Sequence, residues 1–186
     1  MISNWFKEIL INNGYNSSNL VRIPSVQFMS ENKPGEYEST IKNKILFIGR
    51  IEEQKGLLLI CEALTNNATI ILDVYGNVVD EVYFKICKKH FNFNYKGVLS
   101  QDVLMTKLKE YDFVIVPSVA PEMSPMVVLE SLNHFTPVIA SGSKGNVELI
   151  HNGVNGFLFK YDDAKDLGAT IDKAYGLKKE GWVPVF

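Results

Sequence analysis

Hydrophobic residues along this 186-residue chain gather in short continuous runs rich in Val and Ile, at residues 44–48, 69–75, 93–98, 113–116, 137–140 and 156–159. Runs this short, apolar on both faces and bounded by Gly, Asn, Asp or Pro, predict buried strands. Helix-length segments lie between and after them, at residues 56–64, 79–91, 101–111, 125–133, 146–150 and 164–175. Strands that alternate with helices imply a parallel sheet covered on both faces, the doubly wound α/β class. Residues 1–43 follow another pattern. Ser3 caps an amphipathic helix that stops at Gly14, a short strand is expected at 20–23, and the polar stretch 30–43 reads as a linker.

Composition adds little to this outline but removes several function classes. Hydrophobic residues make up 46% and charged residues 22%, with a formal net charge of -2, so one domain with a full core is expected and no basic field invites nucleic acid. Cys61 and Cys87 fall in helical segments without metal-ligand spacing and read as buried thiols in a reducing compartment. His90, His134 and His151 show no i, i+4 pairing, which argues against a metal site. No apolar run reaches about 18 residues, and the chain as given shows no basic-then-apolar leader. The expectation is a soluble cytosolic protein.

The polar residues that follow each strand carry the candidate chemistry, because open parallel sheets bind ligands beyond the carboxyl ends of their strands. Gly49-Arg50 and Lys55-Gly56 follow the first run and place two cations at that edge. Ser124 reads as an N-cap and Pro125 as the first helical residue, so free N–H groups start the next helix and favour an anion. Within that helix, Glu130 sits among Met126, Val127, Val128, Leu129 and Leu132 with no clear polar stripe. The helix is therefore expected to be buried and Glu130 to need a specific partner, a structural cation or a ligand. Glu122 lies in the loop just before it. Asn152-Gly153-Val154-Asn155-Gly156 reads as a turn and Asp162-Asp163 as a helix cap.

Taken in order, these motifs resemble a known family. Gly49-Arg50 and Lys55-Gly56, Val116-Pro117-Ser118, the Glu122 and Glu130 pair, Thr136-Pro137-Val138-Ile139-Ala140 and Asn152-Gly153-Val154-Asn155-Gly156-Phe157-Leu158 resemble the donor-binding half of the group 1 glycosyltransferases over residues 41–175. These are retaining enzymes of the GT-B fold, whose C-terminal half is Rossmann-like. The resemblance implies that Arg50 and Lys55 hold the diphosphate of a nucleotide sugar, with Gly49 beside them, and that Glu130 takes the ribose hydroxyls. It implies that Glu122 positions the transferred sugar. Backbone N–H groups of the segment Ser124-Pro125-Met126-Val127, in which Pro125 has none of its own, would cap sugar and phosphate oxygens, and residues 96–99, ending at Leu99, would border the base. No metal cofactor is expected, since fixed cations and helix N–H groups can stabilise the leaving diphosphate and no Asp-x-Asp pair ends a strand.

The chain also departs from that family. Met123-Ser124-Pro125 stands where Gly-Phe-Gly is common, and His134-Phe135 stands where a glycine usually ends the helix, so a different helix stop is expected. Residues 1–43 resemble the tail of an N-terminal domain plus the linker, leaving 44–186 as the donor-binding domain and an acceptor-binding domain or partner subunit to be supplied. A closing helix is not recognisable in residues 176–186. The acceptor implied is a glycan or lipid-linked sugar, and the full-length enzyme could be peripheral to a membrane. Two alternatives stay open: a non-catalytic nucleotide-sugar-binding subunit of a split transferase, and a nucleotide-sugar epimerase.

Overall fold

The computed structural model describes residues 3–21, 37, 39–90, 92–121 and 125–186. Among the described residues six strands, β1 (Lys44–Ile48), β2 (Ile71–Tyr75), β3 (Phe93–Gly97), β4 (Phe113–Val116), β5 (Val138–Ser141) and β6 (Gly156–Phe159), form one sheet in the order β3-β2-β1-β4-β5-β6. Every pairing is parallel. The order reverses between β1 and β4, which creates a crevice at their carboxyl ends.

Alternation along the strands builds two core layers. Ile45 and Phe47 of β1 face one cluster with Leu57, Ile60 and Cys61 of α2 (Leu57–Ala63), Cys87 of α3 (Glu81–Cys87) and Leu167 and Ile171 of α6 (Ala164–Lys179). Leu46 faces the other with Leu104 of α4 (Gln101–Lys107) and Val128 of α5 (Met126–Asn133). Helix α1 (Asn4–Asn12) begins at Ser3, whose Oγ accepts Phe6 N–H at 3.2 Å, and is followed by left-handed Gly14 with φ 89°. Cys61 and Cys87 are free thiols, both buried.

Several expected boundaries move. Asp80 accepts N–H from Val82 and Tyr83, each at 2.9 Å, so α3 starts at Glu81 rather than at residue 79. The segment expected to be helical at 146–150 is one 3-10 turn, Asn146–Glu148. Leu20 follows the 3-10 turn Ser17–Asn19 and, with Val21, lies in no strand, while the rest of the strand expected at 20–23 lies outside the described residues. Most of the linker expected at 30–43 also lies outside them. The last helix runs to Lys179, so helix does continue past residue 175.

The end of α5 uses the geometry a glycine would give. Phe135 adopts φ 57°, its N–H donates to Leu132 O at 3.1 Å, and Thr136 N–H donates to Ser131 O at 3.0 Å. This is the Schellman arrangement with phenylalanine in the left-handed position. The Phe135 ring stands edge-on to Phe186, with centroids 5.3 Å apart, which offsets part of the backbone strain.

Candidate functional site

The carboxyl ends of β1 and β2 are held together by close backbone approach. Gly49 N–H donates to Tyr75 O at 3.1 Å, and a Cβ on Gly76 would stand 1.7 Å from Gly49 O. Only glycine fits there. The chain leaving β1 closes with the 3-10 turn Glu53–Lys55 and left-handed Gly56, where a Cβ would meet Pro117 O at 2.1 Å. Val119 N–H donates to Gln54 O at 3.0 Å. The loops after β1 and β4 are therefore bonded across the point where strand order reverses.

Arg50 and Lys55 both lie on this loop. The Arg50 side chain is 61% exposed and its Nη2 lies 2.9 Å from Glu52 Oε1. The Glu52 side chain is only 18% exposed, so a guanidinium that turns to a phosphate leaves a largely buried carboxylate behind. Lys55 is half-buried and ends the 3-10 turn. A groove between this loop and the start of α3, lined by Glu52, Glu53, Asp80 and Glu81, has the wrong charge for an anion.

Helix α5 corrects two expectations. It starts at Met126, and Pro125 is the extended residue before it, with φ -72° and ψ 95°. Pro125 O accepts Val128 N–H at 3.0 Å, so the helical ladder begins from its carbonyl rather than with Pro125 inside the helix. The N–H groups of Met126 and Val127 have no acceptor among the described residues and carry the positive end of the dipole. The helix is also not buried on all sides: Val128 and Ser131 are buried, whereas Met126 is 44% exposed and Val127, Leu129 and Glu130 are half-buried. As an outer-layer helix on β4 and β5, it buries a stripe rather than its whole circumference.

Glu130 pairs with no Lys or Arg among the described residues. Its Oε1 accepts a hydrogen bond from Gln101 Nε2 at 2.6 Å. Partial burial pushes its pKa up, opposed by the Gln101 hydrogen bond and by His134 one turn along the helix. Gln101 opens α4 directly after Leu99 and Ser100, and Leu99 packs against the core layer that contains Leu104.

At the carboxyl ends of β4 and β5 lies a buried polar cluster. Ser141 Oγ donates to Ser118 O at 2.9 Å, and Asn146 Nδ2 donates to Ser141 O at 2.9 Å. Ser143 Oγ and Asn146 Oδ1 are buried with no protein partner among the described residues, so hydrogen-bonding capacity remains at this edge. Sequence reasoning missed Gln101 and the role of Asn146. Neither has a local signal, since each acts through a partner on another element or a neighbouring loop.

Gly49, Arg50, Lys55, Leu99, Pro125, Met126, Val127 and Glu130 thus all lie on segments that follow strand carboxyl ends. Glu122 and Ser124, with Met123, lie outside the described residues. Among the described residues, no group of three or more His, Cys, Asp or Glu side chains could hold a metal ion, and no helix is long and apolar enough to cross a membrane.

The family profile described as "Glycosyl transferases group 1" matches residues 29–180, most of the chain. The chain belongs to the group 1 glycosyltransferases. A 41.2 kDa protein of the cps region of Klebsiella pneumoniae, named as uncharacterized, is 30% identical to this glycosyltransferase chain over 133 residues, covering 70% of it and 36% of that protein. An uncharacterized glycosyltransferase of Methanocaldococcus jannaschii is 31% identical over 120 residues, covering 60% of the chain and 30% of that protein. The structure of Anabaena HepE in complex with UDP and glucose superposes with a TM-score of 0.81 at 18% identity, covering 97% of the chain and 54% of HepE. That likeness establishes a shared GT-B glycosyltransferase fold. The chain spans about a third of the length of the two curated relatives and about half of HepE.

Proposed function

We propose that this chain is the donor-binding portion of a glycosyltransferase that moves a sugar from a nucleoside diphosphate to an acceptor. The observation that carries this reading is the switch-point edge. There a loop bearing Arg50 and Lys55 is bonded to the loop leading into α5, and α5 carries Glu130, which has no cation partner among the described residues. HepE, of the same fold, was solved with UDP and glucose and also with UDP-glucose, which supports a nucleotide sugar as the ligand class.

In this reading the diphosphate lies against Arg50, Lys55 and the first-turn amides of α5. Charge grows on the diphosphate as its bond to the sugar breaks, and cations with aligned N–H groups stabilise that charge without a metal. Glu130 accepts the ribose hydroxyls, Leu99 borders the base, and Glu122 positions the sugar. The acceptor hydroxyl forms the new bond to the anomeric carbon on the face the diphosphate leaves, and its proton passes to the departing phosphate. Configuration is thereby retained. The acceptor, a glycan or lipid-linked sugar, meets a part of the enzyme outside this donor half, so the chain alone binds donor without transferring it.

Calorimetry of the 186-residue chain against UDP, GDP, ADP and their sugar conjugates tests the proposal. A nucleoside diphosphate that binds while its nucleoside does not supports it. Failure of the whole panel to bind overturns it.

A further inference from the structure

We propose that Gln101 is a positioning residue that presents the Glu130 carboxylate to the ribose and links it to the loop bordering the base. This rests on the donor-site reading above. Gln101 Nε2 donates to Glu130 Oε1 at 2.6 Å across 29 residues of sequence, joining the first residue of α4 to the middle of α5. It is the sole direct side-chain hydrogen bond of Glu130 among the described residues.

The chemistry of the pair suits a diol-accepting carboxylate. An ionised carboxylate offers about four acceptor positions on two oxygens, and one amide N–H occupies one of them. The other oxygen keeps its lone pairs for donors such as vicinal hydroxyls. A neutral amide fixes the orientation without cancelling the negative charge, which an Arg or Lys in its place would do. Gln101 follows Leu99 and Ser100 directly, and Ser100 makes no side-chain cap bond to α4. The start of α4 is therefore held by its packing and by this tie to Glu130, so a shift of the base loop moves the carboxylate with it. Gln101 is itself exposed, which makes a purely structural demand for this bond weak.

The test compares the tightest binder of UDP, GDP and ADP with its 2′,3′-dideoxy counterpart, by calorimetry on the full chain. Gln101→Leu should weaken the ribonucleotide about tenfold, a typical loss for a hydrogen bond to a charged group. The same variant should leave the dideoxy compound, which has no hydroxyl for Glu130, within about twofold of the parent. The melting midpoint should stay unchanged. Equal weakening of both nucleotides would overturn the proposal, since it would mark a disturbed base loop. If Glu130→Gln weakens the ribonucleotide but Gln101→Leu does not, Gln101 has no positioning role although the Glu130 assignment stands. If Glu130→Gln also binds normally, the ribose assignment itself fails and this proposal with it.

Discussion

Lys178 Nζ lies 2.8 Å from Asp112 Oδ1, and both side chains are buried. Asp112 precedes β4 and also accepts N–H from Lys42 at 3.0 and 3.1 Å, N–H from Lys44 at 3.2 Å and the Tyr175 hydroxyl at 3.1 Å. The rings of Tyr37 and Phe113 lie 5.0 and 6.0 Å from the ammonium. One carboxylate thus joins the end of α6, the chain entering β1 and the start of β4. It sits at the amino edge of the sheet, opposite the candidate donor site, and so serves the fold.

Lys178→Met should therefore reduce stability and leave nucleotide affinity alone. Breaking a buried ion pair from one side costs about 3–5 kcal/mol, and each kcal/mol moves the midpoint of a chain this size by about 2–4 °C. Thermal denaturation should show a drop of roughly 6–20 °C on these figures. A loss under about 2 °C would contradict the structural role.

Phe135 tests the left-handed stop of α5. Phe135→Ala loses the ring contact with Phe186 and keeps the strained φ, whereas Phe135→Gly loses the contact and relieves the strain. The glycine variant should be more stable than the alanine variant by about 1 kcal/mol in chemical denaturation. The reverse order would mean that the left-handed conformation is not strained.

Gly56→Ala probes the link between the β1 and β4 loops. A methyl there adopts an unfavourable φ of 70° and runs into Pro117 O. A cost of about 1–3 kcal/mol in stability is expected, together with weaker diphosphate binding, because Lys55 is the preceding residue. Unchanged binding in a folded Gly56→Ala protein would separate this turn from the site.

Glu130→Gln separates ligand binding from folding. Burial raises the Glu130 pKa, so the folded state holds that proton more tightly than the unfolded chain. Its contribution to stability is present below the ordinary carboxyl value and is lost as pH rises through the raised folded value. At neutral pH the substitution should thus keep or slightly raise stability while weakening nucleotide binding by about 1.5–3 kcal/mol. Parent affinity should rise with pH through the raised value, and the variant should show no such rise. A large fall in melting midpoint with unchanged affinity would assign Glu130 to the fold instead.

The sheet was legible because fully buried parallel strands leave continuous apolar runs, and β1, β4 and β6 match theirs end to end. Helix ends were less legible where a side chain chose among several geometrically open starts. Asp80 decided α3, and the Pro125 carbonyl decided α5. Long-range partners left no trace in local pattern. Tyr175 reaches Asp112 across 63 residues, and α6 continues past it to Lys178, which closes the ion pair. Arg50, Lys55 and Glu130 stood out as charges placed after strands or within an apolar helix. Gln101 did not, since an exposed amide at a helix start is unremarkable until its partner on α5 is seen.

Arg50→Ala combined with Lys55→Ala bears most directly on the donor-site reading, measured as the thermal shift given by a nucleoside diphosphate. At about 100 times its dissociation constant the diphosphate should add roughly 2.7 kcal/mol to the parent chain, or about 5–11 °C. A chelator should leave that shift intact, the bare nucleoside should give little, and the double variant should lose most of it. Equal shifts in parent and double variant, or a shift that requires a divalent ion, would contradict the account.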